Sequence, residues 1–142
     1  MMKKIIIILV VIALVGVAAK MIINPPPDTG SNIILAVKEN SEGPVTVTVA
    51  PHGWENGVNT WDFDITLDTH SEELNTDLVA MSLLMDDQGK VFKPLSWEGD
   101  PPGGHHRRGI LKFKTISPRP KSIELKIKNV GGVTERSFRW TF

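Results

Sequence analysis

Residues 32–142 are predicted to fold as an all-β, two-layer antiparallel sandwich, and three observations predict it. Apolar and polar residues alternate with a period of two along most of this stretch, as half-buried strands require. The alternating runs are short and separated by glycine, proline, asparagine and aspartate. About 110 residues suit one core with seven or eight such strands, the pattern of an immunoglobulin-like sandwich.

Taken in order, Val45, Val47 and Val49 alternate with threonines and predict a strand over 45–50. Trp61, Phe63, Ile65 and Leu67 alternate with Asp62, Asp64, Thr66 and Asp68 and predict a second over 60–67. Thr69 followed by Glu72 has the form of a capping box, predicting a short helical turn near 71–77. Val79, Met81, Leu83 and Met85 then alternate towards Asp86-Asp87-Gln88-Gly89, a strong turn sequence. They predict a hairpin of 78–86 with 90–94, with the methionines in the core. Leu111 and Phe113 mark a further strand. Ile123, Leu125 and Ile127 mark the next, and Phe138, Trp140 and Phe142 the last, joined through the turn Gly131-Gly132. Lys38–Glu42 reads as a solvated turn, and Asp62 and Asp64 as a solvated strand face. An outer-membrane barrel would need strands of about 9–11 residues with an apolar exterior. The second faces here are charged, which excludes it.

The first 31 residues have a different character. Lys3 and Lys4 precede an unbroken apolar run from Ile5 to Ala19, the arrangement of an export signal. Val17-Ala18-Ala19 suits cleavage after Ala19, while Lys20 could snorkel and extend the run through Met21-Ile22-Ile23 as an anchor. Residues 1–23 are therefore expected to be a signal peptide or a transmembrane anchor. Either way the lysines stay inside and the rest is exported. The protein is then at the cell membrane with an extracytoplasmic domain, or secreted or periplasmic after cleavage. Residues 24–31, with Pro25-Pro26-Pro27, form a semi-rigid linker.

Composition narrows the function classes. The chain has no cysteine, so disulfides and thiolate metal ligands are excluded. Its 16 basic residues include Lys3, Lys4 and Lys20. Without them, 13 basic face 16 acidic residues, a net of −3 that gives no electrostatic case for nucleic acid. Ser71 and Ser96 lack the surroundings of a nucleophile, and the reading is of a protein without enzymatic activity.

The most informative stretch is Ser96–Gly109, which contains Trp97, Asp100, Pro101-Pro102-Gly103-Gly104, His105-His106 and Arg107-Arg108. Antiparallel strands reverse direction, so loops 68–77 and 95–108 and the Gly131-Gly132 turn fall at one end of the sandwich. Turn 87–89, segment 116–121 and His52 fall at the other. His70, His105 and His106, with Asp68 and Asp100, could then hold zinc or copper(II) in a chaperone-like site. Alternatively, backbone N–H groups of Gly103-Gly104 with Arg107 and Arg108 would receive an anion. The principal reading, to which these two are alternatives, is an interaction module in which Trp97, Arg107 and Arg108 anchor another envelope protein.

Leu67-Asp68-Thr69-His70-Ser71, Asp86-Asp87-Gln88-Gly89 and Trp97-x-Gly99-x-Pro101-Pro102-Gly103-Gly104-His105-His106-Arg107 together resemble an uncharacterised family of exported prokaryotic immunoglobulin-like proteins. The likeness spans roughly residues 45–115. It implies the fold and the location, and carries no activity or ligand.

Overall fold

A computed structural model describes residues 33–55 and 57–142. The predicted signal or anchor and the linker lie outside the described residues. Among those residues no helix is long and apolar enough to cross a membrane.

Two antiparallel sheets face each other. The first has five strands: β1 (Lys38–Asn40), β2 (Val45–His52), β3 (Thr60–Thr69), β6 (Ser96–Gly99) and β7 (His106–Lys114), in the order β1-β2-β3-β7-β6. The second has four: β4 (Ser82–Asp86), β5 (Val91–Phe92), β8 (Ser122–Val130) and β9 (Val133–Thr141), ordered β5-β4-β8-β9. The alternating valines of β2 and the Trp-Phe-Ile-Leu series of β3 are fully buried, and meet Leu125, Ile127 and Phe138 from the opposite sheet in one core. Aromatic stacking closes one end, with Trp54 and Trp61 centroids 4.4 Å apart. At the other, Gly131 sits against Val45. A Cβ on this glycine, which also has φ +59°, would approach Val45 Cγ2 to 2.5 Å.

Five expectations need correction. The turn of helix is α1 (Leu78–Met81), capped by Asp77 Oδ1, rather than 71–77. Thr69 Oγ1 does accept the N–H groups of Ser71 and Glu72, as a capping threonine would. No helix follows, because Leu74 exchanges backbone hydrogen bonds with Gly103 and Gly104. The hairpin is shorter than 78–86 with 90–94, since α1 consumes its first four residues and β5 is only Val91–Phe92. That shifts the alternation by one: Ser82 and Leu84 face inward, while Leu83 and Met85 are half-buried on the outer side. Met81 is also only half-buried, so neither methionine is a core residue. A slip of one residue exchanges the two faces of a strand. Lys38–Asn40, read as part of a turn, is an edge strand, and loop 95–108 is interrupted by β6 and ends at His105.

A buried arginine on β9 joins β1, the loop that follows it and the end of β8. Arg136, 1% exposed, donates to the carbonyls of Asn40, Glu42 and Val130 and to the Asn40 side chain. Burial lowers its pKa from the ordinary arginine value, offset in part by Glu42. The guanidinium remains charged.

Candidate functional site

The register fixes which predicted site residues meet. Asp68 lies opposite His106, and Thr66 opposite Arg108, on the neighbouring central strands β3 and β7. Val45 pairs with Thr69 at the same end, whereas His52 pairs with Asp62 at the other. Asp68, His70, Asp100 and His105–Arg108 thus share one end of the sandwich, with His52 away from them.

This end is tightly tied. Thr69 N–H donates to His105 O, extending the β3–β7 ladder by one rung, and Thr69 Oγ1 donates to Pro44 O at 2.8 Å. Leu74 N–H donates to Gly104 O and Gly103 N–H to Leu74 O, both at 3.0 Å. Arg107 points inward beneath these loops and is 3% exposed. It donates to Thr76 O at 2.6 Å, Asp100 O at 3.2 Å and Leu74 O at 3.4 Å, with its guanidinium 5.1 Å from the Trp97 ring. Burial lowers its pKa, and Asp77 and Asp100 act in the opposite direction. Trp97 is half-buried over Gly109 and donates its Nε1–H to Asp100 O.

These contacts bear on two predicted arrangements. The anion nest does not stand open, because Gly104 N–H is held by the carboxylate of Glu73 at 3.0 Å, Gly103 N–H by Leu74, and Arg107 by three carbonyls. Glu73 occupies the position reserved for an external anion, and its spacing in the sequence carried no sign of this. The residues expected to hold zinc or copper(II) are not gathered at one point in this structure. Among the described residues, no group of three or more histidine, aspartate or glutamate side chains comes together as a metal-ligand set. His106 begins β7, whereas His105 lies in the bend before it. His106 Nδ1 is 2.7 Å from Asp68 Oδ1, and Asp100 Oδ2 accepts Arg108 N–H at 2.9 Å. His70 and His105 are both exposed.

What remains is a charged outer face on the five-stranded sheet. Its rungs run Thr46–Asp68–His106, Thr48–Thr66–Arg108, Ala50–Asp64–Ile110–Glu98 and His52–Asp62–Lys112–Ser96. Acids line β3 and bases line β7, with Glu98 on β6 bonding Lys112 at 2.9 Å. His52 Nε2 lies 3.5 Å from Asp64. Thr48, Ala50, Thr66, Asp64 and Arg108 surround a shallow depression of about 340 Å³, and Thr66, Asp68, Asp100, His106 and Arg108 border another of about 250 Å³. Asp64, Thr66, Glu98 and Lys112 were absent from the sequence-predicted site. The alternation of 61–67 already placed Asp62 and Asp64 outward, but only strand pairing sets a basic column beside them.

No protein-family description matches this chain, and neither the characterised proteins nor the solved structures contain a significant match.

Proposed function

We propose that this chain is an extracytoplasmic interaction module with no catalytic role. In this reading an immunoglobulin-like sandwich is held at the membrane by residues 1–23, or released from it, and the 24–31 linker spaces it from the surface. The resemblance to exported prokaryotic proteins supports the location. The observation that carries the reading is the outer face of β3 and β7, where acidic and basic columns stand on rigid central strands around open, shallow depressions. Small-molecule sites are enclosed and mostly apolar. A flat, ordered, charged face suits another protein, because complementary charge sets the register and speed of encounter. Arg108, Asp64, Asp68 and His106 supply the contact groups. Arg107 and Trp97, expected as anchors, hold this face in shape from below.

The test is capture of partners from envelope extracts by the immobilised chain, with an Asp64→Lys/Arg108→Glu double variant alongside. The expected result is a discrete partner retained by the native chain and lost by the variant, while both show the same melting temperature. Equal capture by the two proteins sinks the assignment of this face.

A further inference from the structure

The sandwich has four edge strands, and they are not equally protected. β5 has two residues and β6 four. β1 has three, and the carbonyls of Asn40 and neighbouring Ala36 are taken by Arg136 and Trp140. β9 has nine residues and, among the described residues, pairs only with β8. Among the described residues, nothing bonds the other backbone edge of Val133–Thr141. A long unpaired edge is a template for another strand, and here the strand is complementary to itself.

We infer that β9 is a self-association edge, pairing antiparallel with β9 of a second copy about a two-fold axis at Ser137. Such a dimer joins two four-stranded sheets into one of eight strands. In this register Ser137 faces Ser137, and Glu135 of each chain faces Arg139 of the other. Within each chain Glu124 is already opposite Arg139, and Lys128 opposite Glu135. The row across the seam becomes Glu124–Arg139–Glu135–Lys128, alternating in sign, and the two-fold axis repeats it on the other side of Ser137. A like-charged register would be unfavourable, since directly opposed charges in sheets act on each other. Ser137 and Arg139 are exposed and small or flexible at the seam. Arg136 points inward and is held by carbonyls of its own chain, so it brings no unpartnered charge to the junction. The interface is isologous and closes at two copies, which separates it from open-ended aggregation. It uses the second sheet, and is independent of the charged face on the first.

The absence of cysteine gives a clean test on the chain of residues 1–142. Directly opposed antiparallel residues have Cα atoms about 4.5–5.5 Å apart, within the reach of a disulfide. Ser137→Cys under mild oxidation is expected to give a disulfide-linked dimer. Thr141→Cys is not, because Thr141 faces Val133 of the second copy and the two Thr141 positions lie about 27 Å apart along the strand. Adding Arg139→Glu to Ser137→Cys opposes Glu135 with a like charge at two places. The dimer yield should fall by about two- to thirty-fold for two such cross-strand pairs. Equal cross-linking at 137 and 141, or a yield unmoved by Arg139→Glu, overturns the inference.

Discussion

Replacing Arg107 with alanine tests the physical account of the loop end most directly. The side chain makes one short and two longer bonds to the carbonyls of Thr76, Asp100 and Leu74, and lies 5.1 Å from Trp97. Bonds from a charged donor contribute about 1.5–3 kcal/mol each when well formed. Only the 2.6 Å bond to Thr76 merits the upper part of that range. The cation–π contact adds about 0.5–1 kcal/mol. Loop carbonyls freed by the change regain water in part, which reduces the total. The net expectation is a loss of about 3–4 kcal/mol, a fall in Tm on the order of 10–20 °C for a domain this size. Thermal unfolding followed by far-ultraviolet dichroism measures it. Hydrogen exchange at the Leu74 and Gly103 amides reports the loop itself, and their protection should drop ahead of the β2 and β3 amides. Arg107→Lys should recover less than half the loss, since an ammonium cannot reach three carbonyls with a planar fork. A Tm within about 3 °C of the native value, with both amides still protected, would refute the reasoning.

Two further predictions concern the corrected features. Leu84→Ala should cost about 2–5 kcal/mol as a buried leucine does, whereas Met85→Ala should cost under about 1 kcal/mol on the outer face; denaturant unfolding of both variants checks the one-residue register, and the reverse order would contradict it. Calorimetric titration of residues 24–142, free of an affinity tag, with zinc and then copper(II) should give no saturable one-to-one heat. One-to-one binding that disappears in the His70→Ala/His105→Ala/His106→Ala variant would show that these histidines do converge.

The strands most legible in the sequence were those whose two faces differ most. Val45–Val49, Trp61–Leu67 and Ile123–Ile127 each alternate cleanly, and each is buried on the predicted side. The apolar residues of 78–86 fit two registers, and α1 with its Asp77 cap selects between them. Thr69 shows the same ambiguity at a smaller scale. Its hydroxyl receives the expected amides, yet the backbone beyond it bonds to a loop thirty residues away.

The site was legible as a place and not as chemistry. Strand reversal alone brought Asp68, Asp100 and the His105–Arg108 run to one end, and His52 to the other. Whether Arg107 faces solvent or the core depends on which face of β7 it occupies and what lies beneath. Glu73 reaches Gly104, and Arg136 reaches Asn40 and Glu42, across long stretches of chain. By itself the sequence determined the sandwich class, the main strands and the end at which the loops gather, because burial imposes a period of two on every strand. Only the tertiary structure decided which donors the protein uses on itself and which charged columns stand side by side. Those depend on strand order and long-range hydrogen bonds, for which local periodicity holds no information.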